Sequence, residues 1–226
     1  MKYGIMGAMP DEVDQLCARL SGVEVQQYAG VEYHQGRLGD KEVVVCCAGM
    51  GKANAAATTQ VLCGKFGAQA IIFSGIAGNM SEEIGIGDVV VGKEVCYHDA
   101  EVSMICQSAP FLKSYTGDPA LVQAALDACA ALGVKAIAGR IATGDTFVGD
   151  GATKAVIAEK VHPDCVEMEG AAVSQIAARN GVPCVVLRAM SDNADESGHE
   201  LLVVKKFSIA EYVTTATAIV ARMLES

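Results

Sequence analysis

The stretch Glu42-Val43-Val44-Val45-Cys46-Cys47-Ala48-Gly49-Met50-Gly51-Lys52-Ala53 runs from apolar residues through a glycine turn into an alanine-rich segment. The apolar part, Glu42 to Ala48, reads as a strand, and Gly49-Met50-Gly51 turns the chain into a helix over Ala53 to Phe66. A second buried strand, Gln69 to Ser74, follows and ends in another small turn, Gly75-Ile76-Ala77-Gly78. Strand, helix and strand in this order form the unit of a parallel sheet covered by helices.

The pattern extends in both directions. Lys2 to Ala8 reads as a strand feeding a helix that begins near Pro10, where a missing N–H costs nothing and Asp11 and Glu12 suit the positive end of the dipole. Glu32 to Leu38 pairs with Glu42 to Ala48 as a hairpin around Gly39-Asp40-Lys41. Downstream, strands are expected at Asp88 to Tyr97, Lys135 to Thr143 and Pro183 to Met190. Helices are expected at Ala120 to Leu132, Met168 to Asn180 and Lys205 to Leu224. No composition break, linker or repeat interrupts residues 1–226. The expected fold is a single α/β domain with a mixed, mostly parallel central sheet flanked by helices. Ligands in such folds gather beyond the carboxyl ends of the strands. The segments to watch are therefore Met9 to Glu12, Gly49 to Lys52, Ser74 to Gly78, Tyr97 to Glu101, Gly144 to Val148 and Ser191 to Asp195.

Bulk properties narrow the function. A formal net charge of −10 over 226 residues leaves no basic face for nucleic acid or for an anionic membrane surface. No apolar run approaches the roughly 20 residues needed to span a bilayer, and the acidic Pro10-Asp11-Glu12 follows Met1 too soon for a secretion signal. The nine cysteines sit mostly inside apolar runs without a CxxC pair, as reduced core thiols of a cytoplasmic protein do.

The polar constellations carry the chemistry. Gly49-Met50-Gly51-Lys52 could cradle a phosphate at a helix start, but it lacks the GxxxxGK[ST] spacing of a P-loop, and a simple packing turn reads equally well. His34, His98, His162 and His199 are scattered without metal spacing, so no metal and no cofactor is expected. His98-Asp99 lacks a serine in a nucleophile elbow and reads as a structural or pocket-lining turn. Asp195 and Glu196 read as a solvated loop, whereas Asp192 lies past the apolar Val185-Val186-Leu187, where water is scarce. Val166-Glu167-Met168-Glu169-Gly170 places two glutamates at the threshold of a helix. One could serve the dipole, and the pair together points to a hydroxyl-bearing ligand.

These segments together resemble the 5′-methylthioadenosine/S-adenosylhomocysteine nucleosidases of the purine nucleoside phosphorylase family. The resemblance covers nearly the whole chain. It rests on Gly4 to Met9 with Glu12, Ala48 to Ala53, Ser74 to Gly78, Gly87 to Val91, Tyr97 to Ala100, Gly144 to Phe147, Val166 to Glu169 and Arg188 to Asp192. It implies hydrolysis of an adenine nucleoside, with Asp192 protonating N7 of the leaving base and Ser191 orienting that carboxyl group. Glu12 would activate the attacking water, with Arg188 helping to hold it. Glu169 would take the ribose hydroxyls, with Met168 under the sugar and Glu167 beside it. Phe147 would stack on the purine, and the Val148 backbone would read its edge. Met9, Met50, Val102 and Ile105 would line the sugar and 5′-alkylthio pocket, a task that suits deformable thioether side chains.

The resemblance further implies a homodimer, with a neighbouring subunit closing the 5′ pocket. Ile76, also in the pocket, stands where the family often has serine or valine. The stretch Ser197 to Lys206 is longer than usual, which leaves the aromatic cover of the purine open between Phe207 and its rivals Ile209 and Tyr212. Two neighbouring activities compete. A phosphorylase would need several cationic donors, and Glu12 would repel phosphate; a hydrolase for a related nucleoside, such as 6-amino-6-deoxyfutalosine, would keep the same chemistry.

Overall fold

Val43, Val44, Val45 and Cys46 are all but inaccessible to solvent, and they form the middle of strand β4 (Lys41–Cys47). A computed structural model describes residues 1–199 and 210–225. β4 lies parallel to β1 (Lys2–Gly7), which lies parallel to β5 (Ala70–Asn79). Between β4 and β5 the chain reverses at Gly49 (φ +84°) and Gly51 (φ +92°). Only glycine adopts these backbone angles without strain, and helix α2 (Lys52–Gly64) starts directly after them.

β5 continues parallel to β10 (Cys184–Asp192). β10 runs antiparallel to β6 (Val89–Tyr97), and β6 parallel to β8 (Ala136–Thr143). The short β9 (Cys165–Glu167) is parallel to β8 and antiparallel to β5. β5, β10, β6, β8 and β9 therefore close on one another, and the sheet continues outward from this ring through β1 and β4. Beyond β4 come β3 (Val31–Leu38) and the edge strand β2 (Ser21–Tyr28), both antiparallel to their neighbours, while β7 (Tyr115–Thr116) pairs with β6. The α/β expectation holds, with parallel pairing in the long central ladders.

Alternate residues on the strands feed two cores, as the strand period of two requires. Met6, Val44 and Cys46 join Ala55 and Leu62 of α2 and the apolar residues of α6 (Gly170–Arg179). Ile5, Val43 and Val45 join Val13 and Leu16 of α1 (Pro10–Cys17), Ala125 of α4 (Pro119–Ala131), and Ile219 and Val220 of α8 (Ala210–Glu225). Six short or exposed elements escape the sequence reading: β2, with every residue exposed, the four-residue α3 (Val102–Ile105), β7, α5 (Gly151–Val161), β9 and α7 (Glu196–His199). Asp150 caps α5 by accepting the Thr153 N–H at 2.8 Å. No helix of the described residues is long and apolar enough to cross a membrane.

Candidate active site

The carboxyl ends of β1, β5 and β10 open onto a cavity of about 380 Å³. Glu12, Glu167, Glu169, Ser191 and Asp192 line it with Met9, Met50, Ile76, Phe147 and Met168. Ala8, Ala77, Gly78 and Val166 complete the wall, small residues that give no chemical signal of their own in the sequence.

Glu12 is buried although it occupies the first turn of a helix. Its Oε2 accepts the N–H groups of Ala8 (2.6 Å) and Met9 (3.0 Å), and its Oε1 accepts that of Ile76 (3.2 Å). Burial raises its pKa above the ordinary carboxylate value, against the lowering influence of Arg188 and of these backbone donors. Two strand ends thus present amides to one carboxyl group. Gly75 makes the approach possible, because a Cβ there would overlap both Glu12 Oε1 and Arg188 Nη1.

Arg188 is wholly inaccessible. Its Nη2 pairs with Glu167 Oε2 and lies 3.5 Å from Glu169 Oε2, and its guanidinium stands 4.1 Å over the Phe73 ring. Its Nε and Nη1 have no protein acceptor among the described residues. Glu167 is fully engaged. It accepts hydrogen bonds from the Thr143 hydroxyl, from Arg188 and from the Glu169 and Gly170 N–H groups at the start of α6. Thr143, which the sequence reading passed over, in turn accepts the Ala171 N–H at 2.8 Å. Glu169 is less committed: its Oε1 accepts the Gly51 N–H at 2.8 Å, joining α6 to the glycine turn.

Burial, and then the neighbouring Glu167 charge, push the Glu169 pKa up to about 7. The native chain therefore holds a proton there that the unfolded chain releases near the ordinary value of about 4.3. Stability tied to this group is complete at low pH and is lost as pH rises through about 7. Between pH 5 and about 7.5 the Tm should fall more steeply in the native sequence than in Glu169→Gln. Parallel melting curves for the two proteins would contradict the assignment.

Asp192 closes the other end. β10 carries an irregularity between Met190, opposite Ala77, and Asp192, opposite Gly78, so Ser191 is an extra residue. Consecutive residues on a regular strand face opposite ways; the bulge lets Ser191 and Asp192 both reach the cavity. The Ser191 hydroxyl donates to Asp192 Oδ2 at 2.8 Å, and the Ala194 N–H donates to Oδ1 at 2.8 Å.

Other expected positions fall differently. Val148 is buried with Cys96, Ala142 and Ile157, touching only a small cleft beside the main cavity. Val102 and Ile105 sit on α3 and pack against the first core, so they do not line the cavity of their own chain. Tyr212 packs into the second core and is no cover for the cavity. Phe207 and Ile209 lie outside the described residues. Lys52 is held by Asp99 at 2.7 Å, and the buried His98 ring packs against Gly144.

Residues 2–225 match the phosphorylase superfamily model. The chain is 42% identical over 201 residues to a 5′-methylthioadenosine/S-adenosylhomocysteine nucleosidase of Shewanella sediminis (strain HAW-EB3), covering 86% of this chain and 87% of that one. Among solved structures, the nucleosidase of that name from Colwellia psychrerythraea 34H, in complex with adenine, superposes with a TM-score of 0.92. It is 31% identical, covering 100% of this chain and 95% of the other. The futalosine hydrolase of Helicobacter pylori strain 26695 superposes at 0.89 with 29% identity, covering 100% and 97%.

Proposed function

The chain belongs to the phosphorylase superfamily, and from that premise we propose how its buried carboxyl groups divide the work of breaking a glycosidic bond. The enzyme is an N-glycosyl hydrolase that releases adenine from 5′-methylthioadenosine and S-adenosylhomocysteine, leaving a 5-thioribose product. One observation carries the role assignment: Glu12, Glu169 and Asp192 are separate buried carboxyl groups lining one cavity.

Adenine leaves poorly as an anion, so Asp192 delivers a proton to N7, its carboxyl group oriented by Ser191 and the Ala194 amide. As the bond lengthens, the ribose gains oxocarbenium character, which the nearby carboxylates stabilise. Glu12 takes a proton from the water attacking the anomeric carbon, and Arg188, behind the cavity wall with Nε and Nη1 lacking an acceptor among the described residues, helps to hold that water. Glu169 receives the ribose hydroxyls over Met168. Phe147 stacks on the purine beside the Val148 backbone, and Met9, Met50 and Ile76 form the apolar wall. Glu167 anchors this assembly from the side.

Water rather than phosphate is the acceptor. No lysine or arginine lines the cavity among the described residues, and the two nearest cations, Arg188 and Lys52, are tied to carboxylates. Adenine release from methylthioadenosine should proceed at full rate in phosphate-free buffer, with free methylthioribose as product. Strict dependence on phosphate and a ribose-1-phosphate product would refute the reading. On 6-amino-6-deoxyfutalosine the same assay should give a lower kcat/KM.

The 5′ pocket is completed by a second copy of the chain in a homodimer. Met104 of α3 and Phe111, six residues beyond the helix, are each 68% exposed, and burying these apolar side chains against a second copy would bring Val102 and Ile105 to the neighbouring cavity. Sedimentation at twice the chain mass tests this. Nine free thiols accord with a cytoplasmic location.

A further inference from the structure

Three side chains that the reaction leaves unused, Lys52, Asp99 and Asp145, meet outside the cavity. The Lys52 ammonium donates to Asp99 Oδ1 at 2.8 Å and Oδ2 at 2.7 Å, and lies 3.5 Å from Asp145 Oδ2. The backbone closes the same circle, since the Lys52 N–H donates to Asp145 Oδ1 at 2.8 Å and the Asp145 N–H to Asp99 Oδ2 at 2.9 Å. Burial alone would raise the Asp99 pKa, but the Lys52 and Asp145 donors hold it below the ordinary value. The cluster thus stitches together the segments that follow β4, β6 and β8.

None of Lys52, Asp99 and Asp145 lines the cavity, but Met50, two residues before Lys52, and Phe147, two residues after Asp145, do. Gly51, directly before Lys52, donates its N–H to Glu169 on the sugar side. Phe147, two residues after Asp145, lines the purine side. We propose that Lys52 is a positioning residue that fixes the spacing between the sugar-binding carboxyl of Glu169 and the purine-stacking ring of Phe147. The assignment rests on the proposed function for which end of the cavity takes which half of the nucleoside.

Energetics separate this role from a merely structural one. The side chains of Lys52, Asp99 and Asp145 are 24%, 25% and 52% exposed, and ion pairs this wet add little to global stability. A displacement of about 1 Å at a reacting site, by contrast, can cost about a hundredfold in rate.

The test uses the full chain. Lys52→Met should lower kcat/KM for methylthioadenosine by roughly 10- to 100-fold with the melting temperature almost unchanged. By calorimetry Lys52→Met should bind adenine alone and methylthioribose alone about as tightly as the native chain, because neither spans the two ends whose spacing Lys52 fixes. Lys52→Arg, which can still bridge both carboxylates, should recover most of the loss. Lys52→Met combined with Asp99→Asn should be no worse than Lys52→Met alone, because both remove one interaction. Additive losses, a loss no larger than about threefold, or a kcat/KM that falls only as the protein unfolds would each overturn the inference. If the native chain binds adenine and Lys52→Met binds it at least about tenfold more weakly, only this inference fails. If the native chain binds no adenine, the proposed function fails and this inference with it.

Discussion

Asp192→Asn should cost about 10³- to 10⁴-fold in kcat on methylthioadenosine, the upper range for loss of one general acid, while nucleoside binding survives. The substitution is nearly isosteric in its setting. The asparagine oxygen can still accept the Ala194 N–H, and the Ser191 hydroxyl can turn from donor to acceptor for the new amide. The cradle persists and only the proton is lost. That distinction is measurable with a riboside whose leaving group needs no protonation, such as p-nitrophenol. Asp192→Asn should hydrolyse it with little loss, whereas Glu12→Gln, which lacks the base for water, should be impaired on both substrates. Equal damage by both variants on both substrates would show that the two carboxyl groups do not divide acid and base duties.

How far this division could be read from the chain itself varies by residue. The passage Val43 to Lys52 was legible because its signals are local: an apolar run, two glycines and a helix start, each with a direct backbone consequence. β2 was not, since a fully exposed edge strand shows no alternation; its one signal is the Ala29-Gly30 turn, with φ of 50° and 79°. Closure of the ring through the three residues of β9 depends on partners far away in sequence, and no local pattern announces it.

The site divides in the same way. Glu12 by itself looks like a helix-start charge, and its role came from the family resemblance. Its burial depends on the Gly75 backbone some sixty residues on. Asp192 was conspicuous as an acid after an apolar strand, but the bulge that aims it at the cavity is a property of its pairing with β5. Val102 and Ile105 had been expected in the pocket. Within one chain they serve α3 packing instead, because the four-residue helix turns them onto the first core.

The second large effect concerns Arg188, whose substitution by methionine should destabilise the fold by about 3–5 kcal/mol at pH 7.5. For a chain of this length that is a fall in Tm on the order of 10 °C. The cause is not the lost attraction alone. Arg188 and its two glutamate partners are all buried, and removing the cation leaves Glu167 and Glu169 with uncompensated charge where water cannot reach them. Glu167 keeps the Thr143 hydroxyl and two backbone N–H groups, so it remains partly satisfied. Among the described residues Glu169 keeps only the Gly51 N–H as a hydrogen-bond donor, and it loses the cation that opposes its already raised pKa. Glu169 should then titrate at higher pH than in the native chain. The deficit should consequently shrink as pH falls towards 5, where protonation of Glu169 removes one of the charges that the arginine had balanced. Thermal melts of the two proteins from pH 5 to 8 decide the matter. A gap in Tm that stays constant across that range would mean that Arg188 acts through its packing on Phe73 and not through the charges it neutralises.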